Sequence, residues 1–162
     1  MVASPYRKEH DMSPEQFQRP KRPVTRVFIH CTASSRPEHD NVETVRMWHK
    51  DRGWADIGYH FMIHNNGGIS AGRDIEKTPA AQKGHNTGSI AITLHGGQYG
   101  VDDFSLAQRK ALVKFCDAID DAYGSDITFH GHEEVANRAC PVLDYRTLLN
   151  LGPKGYMLRT RS

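Results

Sequence analysis

Cysteine is scarce in this chain, with three in 162 residues. That number is too small, and too odd, for a disulfide framework, so each thiol needs its own reading. Long apolar runs are missing too. No stretch approaches the ~18 apolar residues of a membrane-spanning helix, so membrane insertion is not expected. The first 23 residues, MVASPYRKEHDMSPEQFQRPKRP, contain no apolar signal-peptide core. The expectation is synthesis in the cytoplasm, with some other route out if the protein acts elsewhere. A large charge of one sign is also lacking. The formal net charge of +2 is not the footprint of a nucleic-acid binder, and no nucleic-acid partner is expected. Repeats and low-complexity tracts are absent. The chain has the length for one domain with a single core.

Hydrophobic patterning supplies the elements. Residues 1–23 are polar and without a sustained period, and read as a flexible N-terminal arm. VTRVFIHC (24–31) and SIAITLHGG (89–97) are β-branched, apolar runs that read as buried strands. DITFHGH (126–132) reads as a further strand. GYHFMIHNNGGISAGRD reads as a hairpin turning at Asn-Gly. DNVETVRMWHKDRG reads as a helix capped by Asp40 with Glu43 three residues on, and stopped by Gly53. SLAQRKALVKFCDAIDDAYG is the clearest helix. Ser105 and Gln108 form a capping box, Leu112, Phe115, Ile119 and Tyr123 form a stripe, and Gly124 ends it. LDYRTLLNLG reads as a short terminal helix to Gly152, followed by a tail over 153–162. The fold class is therefore α/β: a single domain over 24–152, with a central mixed sheet flanked by helices.

Cys116 falls on the apolar stripe of a helix and Cys31 on a strand, and both read as core. Cys140 differs, because it lies in a polar stretch, HGHEEVANRACP (130–141), just before Pro141. Either its pieces are unrelated, or His132 and Cys140 face a common point and hold a metal. The other histidines sort by position. His10 and His39 fall in polar loops and read as solvated, and His49 reads as a surface helix residue. His60 and His64 share a strand face opposite Tyr59, Phe61 and Ile63. His30 ends the first strand, and His132 ends the strand before the Cys140 loop. Catalytic zinc commonly takes three protein ligands and keeps one position open, and His30, His132 and Cys140 suit that arrangement. Ten histidines offer accidental triples as well.

FIHCTAS, WHKDRGWADIGYHFMI, GRD, KGHNTGSIAI and GHEEVANRACP occur in one order over residues 26 to about 150. In that order they resemble the zinc-dependent N-acetylmuramoyl-L-alanine amidases, most of all the small phage lysozyme-type branch, which is similar to animal peptidoglycan recognition proteins. The resemblance implies one zinc ion per chain, bound by His30, His132 and Cys140, with Tyr59 as the catalytic tyrosine. It does not place His130 as a ligand, although His130 could support one from behind. It implies a peptidoglycan substrate, a monomer, and a phage or prophage endolysin that reaches the wall after holin-dependent release.

The sequence departs from that pattern twice. Phage-type enzymes usually carry lysine two residues before the cysteine, where this chain has Arg138. Arginine donates hydrogen bonds to an oxyanion but is not a proton donor. Related amidases often have histidine where this chain has Ala81. Water and amide carbonyls are activated by zinc in such a set, and the tetrahedral oxyanion then needs preorganised donors. Arg138 and the Tyr59 hydroxyl suit that role, against readings as a solvated cation and a packing residue. Tyr59, His85 or zinc-bound water relaying a proton are the candidates to protonate the leaving amine. His85 is either a substrate-groove residue or a satisfied loop histidine. Trp48 and Trp54 read as core rather than as sugar platforms. Two other functions fit the same blocks: a non-catalytic peptidoglycan-binding module, which has no need of Cys140, and a regulator of a cytoplasmic partner such as an RNA polymerase.

Overall fold

A computed structural model describes residues 12–158. At its centre is a five-stranded sheet in the order β3-β2-β4-β1-β5. The strands are β1 (Arg26–Cys31), β2 (Phe61–Ile63), β3 (Ile69–Ala71), β4 (Ser89–Leu94) and β5 (Thr128–Gly131). β1 runs parallel to β4 and β5, and β2 runs parallel to β4. β3 returns antiparallel to β2 as the hairpin edge, so the sheet is mixed. β4 is buried at every position and β1 from Val27 onward, which is why both read as continuous apolar runs.

Alternation along β1 sets up the site. Val27, Ile29 and Cys31 enter the main core with Leu112, Phe115, Cys116 and Ile119 of helix α2 (Leu106–Ala122). Phe28 and His30 therefore point to the opposite face. Helix α1 (Val42–Asp51) covers only part of that face, where Val42 and Val45 pack with Ile57 and Met62. Phe28 is instead covered by the rings of His85 and His130 and the guanidinium of Arg26. A polar-lined face on a buried sheet is the setting of His30.

The caps of the two long helices differ. α2 begins with the expected capping box, in which the Ser105 hydroxyl accepts the Gln108 N–H and Gln108 Oε1 accepts the Ser105 N–H. α1 is capped by Asn41 rather than Asp40, with Asn41 Oδ1 accepting the Thr44 N–H at 2.8 Å. The Asp40 carboxylate is drawn away by His64 Nδ1 at 2.7 Å and the Asn65 N–H at 3.0 Å. A long-range polar partner outcompetes the local cap. The expected terminal helix shortens to α3 (Tyr145–Leu148), capped by Asp144.

Both ends are more ordered than expected within the described residues. Of the arm expected over 1–23, residues 1–11 lie outside them, and His10 with them. Residues 12–22 are docked. Met12 bridges to Ile69, and the Phe17 ring lies 6.4 Å from Phe61 and 5.9 Å from Phe115. Arg19 sits over the Tyr123 ring, and Arg22 donates to the carbonyls of Ile75 and Ser89. At the other end, the Gly155 carbonyl accepts the Phe129 N–H at 2.8 Å, beside the β5 edge. Isolated aromatic and arginine side chains fix the first segment and a backbone hydrogen bond the second, and neither gives a periodic signal. No helix among the described residues is long and apolar enough to cross a membrane.

Candidate metal centre

His30 comes from β1, His132 from the residue that follows β5, and Cys140 from the loop beyond. β1 and β5 are parallel neighbours, so their C-terminal ends open at the same edge of the sheet. The loop returns there because the Glu133 N–H donates to the Cys140 carbonyl at 2.7 Å. Gly131 makes the return possible. A Cβ at that position would lie 2.4 Å from Tyr145 Cε1 and 2.9 Å from Pro141 Cδ. The ligand atoms of His30, His132 and Cys140 all fall within 4.8 Å of one another, and all three residues are buried. His30 Nδ1 is 3.8 Å from Cys140 Sγ. Tetrahedral zinc bonds of ~2.0–2.3 Å put such atoms about 3.6 Å apart, so the donor set fits that ion.

Protonation states agree with ligation. Burial, then the neighbouring His132, pushes His30 down to about 3. Burial and Arg138 push His132 down to about 4. Both imidazoles are therefore neutral at pH 7, with a lone pair to offer. Contact with Cys31 and burial push the Cys140 thiol up, so it keeps its proton until a cation displaces it. The Cys31 N–H donates to Cys140 Sγ at 3.3 Å, a backbone hydrogen bond that suits a thiolate.

The structure sets Tyr59 and Arg138 beside this cluster. The Tyr59 ring is 5.0 Å from the His30 ring. Burial holds the phenol above its ordinary range, so it remains an O–H donor. Arg138 is exposed in the 132–140 loop, and its charge lowers both His30 and His132. His85 is half-buried over Phe28, with Nδ1 3.5 Å from Arg26 Nη1.

Four expectations change. His49 is buried rather than at the surface. It accepts the Gly58 N–H through Nδ1 at 2.8 Å and backs the Tyr59 ring at 5.3 Å. Trp54 is 39% exposed rather than core, with its ring against His49, whereas Trp48 is partly buried in the α1 cluster. His39 is half-buried, bonded to Ser34 and edge-on to Trp48. His130 supports no ligand, because Glu134 takes its Nδ1 at 2.9 Å and Thr128 takes its Nε2 at 2.7 Å. The residue behind His30 is Gln82, whose Oε1 lies 2.8 Å from His30 Nε2. Sequence reasoning missed it, since a single glutamine in a loop carries no spacing signal.

The structure thus places a buried His-His-Cys cluster at the ends of two parallel strands of a mixed sheet. The N-acetylmuramoyl-L-alanine amidase family matches residues 20–142, and the chain belongs to that family. It is 34% identical to the endolysin of Enterobacteria phage T3 over 83% of this chain and 91% of that protein. It is 35% identical to the endolysin of Escherichia phage T7 over 74% of this chain and 82% of that one. Among solved structures, the endolysin amidase LysCS of Clostridium intestinale shares the fold, with a TM-score of 0.71 over 88% of both chains at 21% identity.

Proposed function

We propose that this protein is a zinc-dependent peptidoglycan amidase that acts as a phage or prophage endolysin. The hydrolase activity is that of the family: cleavage of the amide between N-acetylmuramic acid and the L-alanine of the stem peptide. The convergence of His30, His132 and Cys140 carries the metal reading. Zinc held there would supply Lewis-acid activation of water and of the amide carbonyl.

The chain's own residues have separate tasks. His30 Nδ1, the neutral His132 ring and the Cys140 thiolate would hold the ion. Tyr59 presents its O–H toward the scissile amide and donates to the oxyanion. The Arg138 guanidinium donates to that oxyanion as a fixed cation and transfers no proton. Tyr59 or His85 delivers the proton to the leaving amine. His85, half-buried over Phe28, also contacts the bound muropeptide in this reading. In this reading the chain works as a monomer, and a holin releases it to the wall from the cytoplasm.

Digestion of purified cell walls tests the activity. The expected products are intact glycan strands and free stem peptides that begin with L-alanine. New reducing sugar ends in the mass spectrum would mean a glycosidase. The adjacent Glu133 and Glu134 offer little for that chemistry, whose carboxylates flank the bond about 5 Å or more apart.

A further inference from the structure

His30 Nε2 faces the side chain of Gln82, which is fully buried. An imidazole against an amide leaves two arrangements open, because the amide can present oxygen or nitrogen. The far end of this amide removes the choice. Gln82 Nε2 lies 3.3 Å from the His85 carbonyl, which accepts only. It also lies 2.7 Å from Ser89 Oγ, whose own hydrogen is donated to the Asn86 carbonyl at 2.8 Å. Both partners at that end demand a donor, so it is the NH2 group. Oε1 therefore faces His30 and accepts its Nε2–H. The Gln82 backbone is held as well, since Asn86 Oδ1 accepts its N–H at 2.9 Å.

We infer that Gln82 is a positioning residue that locks His30 in the Nε2–H tautomer and so turns the Nδ1 lone pair toward Cys140 and the metal. The chain of donors runs one way. Ser89 gives to Asn86, Gln82 gives to Ser89 and His85, and His30 gives to Gln82. A neutral histidine left alone divides between two tautomers, and only one of them can ligate through Nδ1. Gln82 removes the other before the ion arrives and fixes the ring plane. This role rests on His30 being a zinc ligand, and it goes beyond the ligand set. It also gives the loop of Ala81 a function without an ionisable side chain.

Three measurements test the inference. Long-range 15N–1H spectra of the metal-free, unmodified protein should show His30 protonated at Nε2 alone. A proton on Nδ1 would overturn the inference without any variant. Zinc affinity, by competition with a chromogenic chelator, is then compared across Gln82→Met, Gln82→Glu and His30→Ala. Gln82→Met keeps the shape but loses the acceptor. It should weaken zinc by about 10–100-fold, the usual cost of losing a group behind a metal ligand. Gln82→Glu retains the acceptor toward His30 but loses the donor that the His85 carbonyl and Ser89 Oγ require, so its zinc affinity should fall between those of Gln82→Met and the parent. The cobalt(II) spectrum of Gln82→Met should also shift, because the ring plane is freed. Parent-like affinity and an unchanged tautomer in Gln82→Met would reject the role. A parent protein that takes up no zinc, or a His30→Ala protein that binds it fully, would reject the metal reading itself. The His30 tautomer in the parent keeps the two failures apart.

Discussion

His30 Nδ1 and Cys140 Sγ lie 3.8 Å apart although 110 positions separate them in the chain. One side chain leaves the end of a central strand, and the other arrives on a loop seated against Gly131. A single polar cluster so assembled invites removal of one member at a time.

Cys140→Ala should lose zinc and wall hydrolysis together. Folding should largely survive, because the main core on the α2 face does not depend on an ion. Metal content by mass spectrometry beside muropeptide release is the check. Full zinc with full activity would remove Cys140 from the ligand set.

Arg138→Ala should cost roughly 2.7–4 kcal/mol of transition-state stabilisation, the loss expected for one oxyanion donor. The deficit belongs in kcat, since the contact strengthens only as charge develops. Arg138→Lys should keep substantial activity, and zinc content should not change in either. If Arg138 instead clamps a stem-peptide carboxylate, KM rises with kcat nearly intact and lysine substitutes poorly. Steady-state kinetics on soluble muropeptides separate the two roles.

Phe17→Ala should destabilise the protein by about 1–3 kcal/mol, less than a fully buried phenylalanine because the ring is only partly covered. Its contacts reach Phe61, Phe115 and Tyr123, so the segment before β1 is bound to both the sheet and α2. Urea unfolding measures the loss. An unchanged midpoint would mean that the docked segment contributes nothing.

Stability should fall as the pH drops from about 6.5 toward 4. Burial pushes His60 and His49 down to about 4, against about 6.5 in an unfolded chain. The unfolded state thus binds more protons in that window, and folding weakens as they are taken up. His60 shows why: its Nδ1 accepts the Ala91 N–H at 3.1 Å, and a proton there would set donor against donor. His60→Gln should flatten the pH dependence of the urea midpoint. A parent midpoint that is constant between pH 7 and 4.5 contradicts this account.

The elements of the fold were legible because burial imposes a period. VTRVFIHC and SIAITLHGG carry the apolar runs VFI (27–29) and IAI (90–92), since β1 and β4 are covered on both faces. The α2 stripe and its capping box are local, and both form where the sequence puts them. Asp40 does not cap the helix because its partner, His64, comes from another element. His49 lies inside for a similar reason: the Gly58 N–H and the Trp54 and Tyr59 rings that meet it all follow the helix in sequence.

The sequence by itself determined the residue types of the site. Histidines at two strand ends and a cysteine before proline are chemical choices written in the chain. Tertiary structure alone decided how those atoms stand to one another. It brought three donors within 4.8 Å, set Trp54 at the surface, and turned His130 toward Glu134 and Thr128. It also set Gln82 Oε1 2.8 Å from His30 Nε2. The physical reason is reach. Periodicity records which face a residue buries, because that cost recurs along an element. A hydrogen bond between two side chains involves one pair, from distant positions, and leaves no repeat in the sequence.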